Sequence, residues 1–316
     1  MSLVYLFRRI GAVLVVLAIV TVAVFVMTNV LPGNAAMMIL GENATPERVE
    51  ALERQLGLDR PLLVQYFDWV TGMVQGDLGL SLTQRLPVVD IVGKALFNSA
   101  ELAGIALVGV TIVAIPMGAM AAVHRGRKLD TAISFLSYLG TSIPEFVTAT
   151  LLLVFLSQPA APIFPAGGFV APGEDFLRFL HHAALPAITL GLILTAHIAR
   201  QVRSEMSEVL GSDYIRAARL KGLSDRRVVW RHALPNSLAP AVAVISLDIG
   251  YLLGGIIVVE EIFAWPGLGR LLIHALQTRD LPVIQAITLI MAVVYALSNL
   301  LADIVIAKLD PRVRYA

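Results

Sequence analysis

Cysteine is absent from the whole chain of 316 residues, which excludes disulfides, thiolate-held metals and cysteine nucleophiles. Charge is scarce as well: Asp, Glu, Lys and Arg supply 15% of the residues, where a soluble domain carries about a quarter. No G-x-x-x-x-G-K-[ST] phosphate loop occurs, so no Walker-type nucleotide site lies in this chain. H-E-x-x-H, an aspartate-rich metal pair and the G-x-S-x-G elbow are missing too. Six histidines are scattered, and only His181 and His182 are adjacent, at a membrane edge where interfacial packing accounts for them. His197 and His274 have no ligand partner at a recognisable spacing. An enzyme that depends on such constellations is disfavoured.

What is present is apolar length. Hydrophobic residues make up 57% of the chain, and the mean hydropathy is +0.79. The first apolar run, from Ile10 to Leu31, has 22 residues, or about 33 Å as a helix, enough to cross a bilayer and too long for a signal-peptide core. Five further segments qualify: 99–123, 131–157, 183–202, 237–259 and 281–307. Backbone polar groups in lipid must bond within their own segment, so all six are expected to be helices. Pro116, Pro144 and Pro186 lie inside or near the ends of these spans and mark possible kinks.

Orientation follows from Lys and Arg. With a cytoplasmic N-terminus, sixteen of them fall inside and eight outside, and only three of those eight lie beyond the long first outer loop. Both termini are therefore predicted to be cytoplasmic, in a multi-pass membrane protein. The predicted division is 1–31 (tail and first span), an outer helical insert 32–97, and a five-helix core 98–316 with a cytoplasmic loop 204–235. In the insert, Thr45 and Pro46 open an amphipathic helix with Val49, Leu52 and Leu56 on one face, and Glu50 and Arg54 pair at i, i+4. Gly57 ends it, and Pro61 begins a second run. This insert reads as a small cap on the outer helix ends, as a docking surface for an external partner, or as both.

Four carboxylates fall within or at the ends of spans: Glu101, Glu145, Asp248 and Asp303. Ionisable groups in a bilayer are costly and default to a functional hypothesis. Asp248 and Asp303 lie deepest, and two readings stand: a proton relay, or structural partners of Asn299 or Tyr251.

The stretch 213–236, "DYIRAARLKGLSDRRVVWRHALPN", sets Arg216, Arg219, Lys221, Arg226, Arg227 and Arg231 between two apolar spans. Ala217 and Ala218 favour helix, and Gly222 is a left-handed stop. Ser224 can cap a second short helix that runs to Leu234 before Pro235. A positive-inside loop on anionic headgroups explains the charge. It does not explain the defined break, the paired small residues or the Leu-Pro stop. This turn has the shape of something received by a partner.

The segment resembles the cytoplasmic EAA loop of ABC-importer permeases, E-A-A-x3-G-x9-I-x-L-P. Ala217, Ala218, Gly222, Leu234 and Pro235 match its spacing, while Arg216 and His232 depart from it. These departures fit the dipeptide/oligopeptide/nickel branch, and within it the dipeptide-permease B type. "LPGNAA", "GDLGLSL", "SIPEF", "LPAITLGL", "VVEEIFAWPGLGRLL" and the tail "NLLADIVIAKLDPRVRYA" resemble the same branch in order along the chain.

The resemblance implies an all-α, six-helix type I permease fold in a bacterial cytoplasmic membrane. It implies Arg216, Ala217, Ala218, Lys221, Gly222, Leu223, Leu234 and Pro235 as the ATPase-coupling loop. Glu145, Asp248, Glu260, Glu261 and Asp303 become candidates for the pathway or gate. The implied partners are a second homologous permease, two ABC ATPases that bind ATP and Mg, an extracytoplasmic binding protein and membrane lipid, with no nucleic acid. No chemical step, cofactor or metal is assigned to this chain. The implied cargo is a di- or oligopeptide; nickel and glutathione are carried by the same branch. A proton-coupled secondary carrier, using Asp248 or Asp303, is the alternative from another class.

Overall fold

The computed structural model describes residues 3–30, 37, 40, 44–57, 59–158 and 162–309. Residues 31–36, which hold "LPGNAA", and the tail from residue 310, with Arg312 and Arg314, lie outside the described residues.

Long helices dominate: α1 Leu3–Val30, α4 Val88–Val123, α7 Phe176–Leu210, α10 Leu234–Ile262 and α12 Leu281–Leu309. Shorter ones are α2 Pro46–Leu56, α3 Leu62–Val74, α5 Lys128–Ser142, α6 Glu145–Leu156, α8 Asp213–Leu220, α9 Asp225–Arg227 and α11 Leu268–Thr278. Among the described residues the extended structure is one isolated bridge, Leu80 to Pro87. Four helices among the described residues are long and apolar enough to cross a membrane, or five if α5 and α6 form one broken span.

That break corrects the expectation of a single helix over 131–157. α5 and α6 meet at 104°, with Ile143 extended at φ −94 ψ 122. The residue before a proline is pushed out of the helical region, and Pro144 imposes this on Ile143. Pro116 and Pro186 leave their helices continuous, because neighbouring helices tolerate the lost hydrogen bond.

The core is the crossing of α4, α7 and α10, where Leu102, Leu190, Leu194, Ile198, Val202 and Val259 are buried. Small side chains permit the close approach. A Cβ on Gly118 would stand 2.5 Å from the Ala199 carbonyl oxygen and 2.7 Å from Val202 Cβ, so any side chain there separates α4 from α7. Near the end of the bundle that carries the basic loop, the buried Asp130 accepts from Arg203 Nε (2.5 Å) and Nη2 (2.9 Å) and from the Gly126 N–H (2.9 Å). This bidentate pair locks the start of α5 to α7.

In the insert, α2 ends at Gly57 in the left-handed conformation, φ +69, as expected. Glu50 and Arg54 pair, and Thr45 occupies the N-cap without a side-chain bond. α3 packs on α1 through Phe25, Tyr66 and Trp69, and the Tyr66 and Thr21 hydroxyls lie 2.8 Å apart. A second buried cluster joins Val88, Val92 and Ala95 of α4 to Leu268, Ala275 and Ile287.

The turn at 81–83, within the insert, is held by Asp280, which is buried between α11 and α12. Its carboxylate accepts from Ser81 Oγ (2.5 Å), Thr83 Oγ1 (2.8 Å), Leu82 N (3.1 Å) and Thr83 N (3.2 Å). Burial pushes the Asp280 carboxyl up, but these bonds outweigh it and hold it below the ordinary carboxylate value. The unfolded chain therefore takes up this proton at higher pH than the folded one. The stability from Asp280 is present above the unfolded pKa and lost as pH falls through the folded one. The melting-temperature difference between wild type and Asp280→Asn in detergent is expected to hold from neutral pH down to the ordinary carboxylate value and to shrink below it; a difference that stays constant through that acid range would refute this.

Candidate coupling surface and intramembrane carboxylates

The basic stretch 213–236 folds as two short helical pieces beyond the C-terminal end of α7. α8 starts after Ser212, which is extended at φ −71 ψ 154, and is anchored by Ile215, which is fully buried. The chain then turns at Gly222, φ +83. The Gly222 N–H donates to Arg219 O (2.9 Å) and the Leu223 N–H to Ala218 O (3.3 Å). Positive φ is the reason for glycine: a side chain in this conformation is strained.

Ser224 caps α9 in the extended conformation, without a side-chain bond. The expected stop at Leu234–Pro235 is not there. α9 passes through a π-helical segment, Val228–Ala233, directly into α10. Pro235 sits in the first turn of α10, directly after the π segment, so the helical hydrogen-bond ladder is already interrupted where proline lacks its N–H. π segments are rare and concentrate at functional sites.

The two faces of this loop differ sharply. Ile215, Val228, Val229 and Ala233 are buried against the core with Val202 and Met206. Outward stand Leu220, 83% exposed, with Tyr214 and Trp230 about half exposed, and around them Arg216, Arg219, Lys221, Arg226, Arg227 and Arg231. Arg219 reaches Asp225 Oδ1 at 3.3 Å, and Asn236 Nδ2 donates to the Tyr214 hydroxyl at 3.2 Å. An apolar knob ringed by cations, on a buried footing, has the build of a protein-docking surface. Of the predicted coupling residues, Arg216, Ala217, Lys221 and Gly222 lie on the exposed side, Ala218 and Leu223 are half-buried, and Leu234 is in the footing.

The five predicted pathway or gate carboxylates do not form one site. Asp303 pairs with Arg9 at 2.9 Å, tying α12 to α1. Its partner is a cation from the first helix rather than Asn299. Glu260 is fully buried and accepts from Ser99 Oγ (2.5 Å), Gly269 N (2.7 Å) and Arg270 N (3.3 Å). It caps the start of α11, whose own N-cap residue is Gly267, a place where a carboxylate meets free N–H groups and the helix dipole. The neighbouring loop is a plug: Phe263 and Trp265 are buried, and Trp265 Nε1 donates to Asn98 O at 3.0 Å.

Glu261 is on the open side, 4.0 Å from Arg270 Nε. Both line a cavity of about 690 Å³, with Asp90, Lys94 and His274 also in its wall. Asp248 is paired with His197 Nδ1 at 3.7 Å, a partner that spacing along the chain does not reveal. Glu145 opens α6 immediately after the break at Pro144.

Comparison with known proteins agrees along nearly the whole length. Residues 114–315 match the family described as "Binding-protein-dependent transport system inner membrane component", and residues 2–98 match its N-terminal counterpart. The dipeptide transport system permease protein DppB of Escherichia coli (strain K12) is 40% identical over 334 aligned positions, covering 98% of this chain and 98% of that protein. The glutathione transport system permease protein GsiC of Escherichia coli (strain K12) is 38% identical, covering 98% and 99%. Among solved structures, the inward-facing MetNI methionine ABC transporter superposes with a TM-score of 0.57 at 17% identity. That match covers 70% of this chain and 96% of the other, and it speaks for the fold.

Proposed function

This chain belongs to the inner-membrane components of binding-protein-dependent transport systems, and we propose that it is the permease subunit of an ATP-driven importer of di- or oligopeptides. The observation that carries the coupling reading is the loop 213–231: a left-handed glycine turn, a buried footing, and an exposed apolar knob ringed by arginines. A partner ATPase with an acidic-rimmed groove receives it. Nucleotide-driven closure of two such ATPases moves α8 and, through the continuous π segment, α10. Two permeases then alternate between inward and outward openings. This chain performs no chemical step.

Six membrane crossings complete the reading: α1, α4, the broken pair α5–α6, α7, α10 and α12, with both termini cytoplasmic. The outer insert and the Glu261–Arg270 cavity supply the surface that an extracytoplasmic binding protein meets. Near-equal similarity to a dipeptide and a glutathione permease favours a second cargo reading, glutathione, itself a short peptide.

The test is purification of the tagged chain in mild detergent from its native host, with identification of everything that accompanies it. A second permease and one or two ATPases are expected. Repeated recovery of the chain alone, with uptake abolished by an uncoupler, would replace this reading with a proton-coupled carrier.

A further inference from the structure

α10 runs from Leu234 to Ile262, and Asp248 is its middle residue. One turn on, Tyr251 shares its face, and two turns on stands Gly255. These three positions form a polar seam at mid-membrane depth, and two other helices bring groups to it. From α7, His197 Nδ1 lies 3.7 Å from Asp248 Oδ1, and its ring centroid is 6.5 Å from that of Tyr251. From the broken end of α6, the Glu145 carboxylate lies so close to Gly255 that a Cβ there would be 2.5 Å from Oε1. Tyr251 is within electrostatic reach of both carboxylates.

Two features separate this cluster from ordinary helix pairing. Asp248 is 6% exposed, yet its Oδ2 has no hydrogen-bond partner. His197 and Tyr251 are 43% and 49% exposed. Charged and polar groups of this kind do not face hydrocarbon at mid-depth and turn instead toward a bundle interior or a water-filled cavity. The charge balance is negative. α6 and α10 contain no Lys or Arg, and the nearest cation of α7, Arg200, one turn on from His197, lies over the Tyr138 ring, 5.4 Å from its centroid.

We infer that Glu145, Asp248, His197 and Tyr251 form a binding station for an organic primary ammonium group, the α-amino end of the peptide cargo, midway along the translocation pathway. This rests on the peptide-permease reading given above. An ammonium offers three donors, which suit the orphan Asp248 Oδ2 and the Glu145 carboxylate. The Tyr251 ring contributes an aromatic face, to which cations are attracted. Placement of the site at a helix break is physically apt, since irregular backbone at membrane depth is tolerated where it lines a cavity.

The native absence of cysteine provides the test. In the complete transporter, with partner subunits cleared of accessible cysteine, Tyr251→Cys is labelled with an ammonium-bearing methanethiosulfonate and with its sulfonate analogue. The cationic reagent is expected to win by about tenfold beyond its advantage toward free cysteine, as one or two nearby carboxylates dictate. That excess should vanish in Glu145→Gln/Asp248→Asn. With Tyr251 intact, the same double variant should take up alanyl-alanine about tenfold more slowly, while binding-protein-stimulated ATP hydrolysis persists.

Failure of the Tyr251→Cys thiol to react, a charge preference equal to that of free cysteine, or unchanged uptake by the double variant would each overturn the ammonium station. Uptake lost together with stimulated ATP hydrolysis would overturn it too, in favour of a structural role. A wild-type transporter that imports no peptide, while Tyr251→Cys shows the charge preference, would fail the peptide reading instead and leave a cation site.

Discussion

Gly222→Arg is expected to abolish uptake while the protein still inserts and keeps its fold. Gly222 has φ +83, so any side chain adds strain of about 1–2 kcal/mol. That is tolerable in an exposed turn remote from the core. Among the described residues, chain neighbours aside, nothing lies within 4 Å of a Cβ built at Gly222, so the side chain starts into open space. It projects from the exposed face beside Leu220, where the partner ATPase is proposed to sit. Loss therefore arises at docking, and the variant should reach the membrane in normal amount yet purify without ATPase. Gly222→Ala, with the strain but little bulk, should retain part of the transport. The measurement is uptake alongside membrane abundance and recovered ATPase; normal uptake by the arginine variant would sink the coupling assignment.

Glu260→Ala is expected to cost the protein much of its stability, for a different reason. Removal of this carboxylate leaves the Ser99 hydroxyl and the Gly269 and Arg270 N–H groups with no acceptor at a buried site. A buried donor left unsatisfied costs about 1–3 kcal/mol. The carboxylate also fills its space completely: a Cβ on Gly267 would collide with it, so its removal leaves a cavity beside the unpaired donors. Glu260→Gln keeps an acceptor oxygen and should be milder. A lower melting temperature and reduced yield for Glu260→Ala, with Glu260→Gln in between, is the expected order. If the alanine variant melts with the wild type, Glu260 is not the cap described here and its role as a gate reopens.

The pathway carboxylates illustrate where linear reading stops. Asp248, Glu260 and Asp303 look alike as acidic residues in apolar runs. In space one is paired to a histidine with an oxygen to spare, one caps a helix, and one meets Arg9 from the opposite end of the chain. No spacing rule reaches from residue 9 to residue 303. The only local sign at Glu260 is the following W-P-G, which signals a turn and a new helix start without saying which acceptor caps it. Asp130 and Arg203 carry no such sign, because each sits in a charged membrane-edge segment where a solvated role is the default.

The amino-acid sequence by itself determined that this is a polytopic membrane protein, where most of its long helices lie, and that the basic loop is a shaped turn around Gly222. These follow from local rules: bilayer thickness sets run length, and left-handed backbone selects glycine. Tertiary structure decided which proline breaks its span, Pro144 and not Pro116 or Pro186, and that the helix runs on through Leu234–Pro235. It also decided which partner each carboxylate meets and which one keeps a buried, unpartnered oxygen. Those outcomes depend on what neighbouring helices place beside each group, and a buried polar atom takes whichever partner the packing brings within about 3 Å.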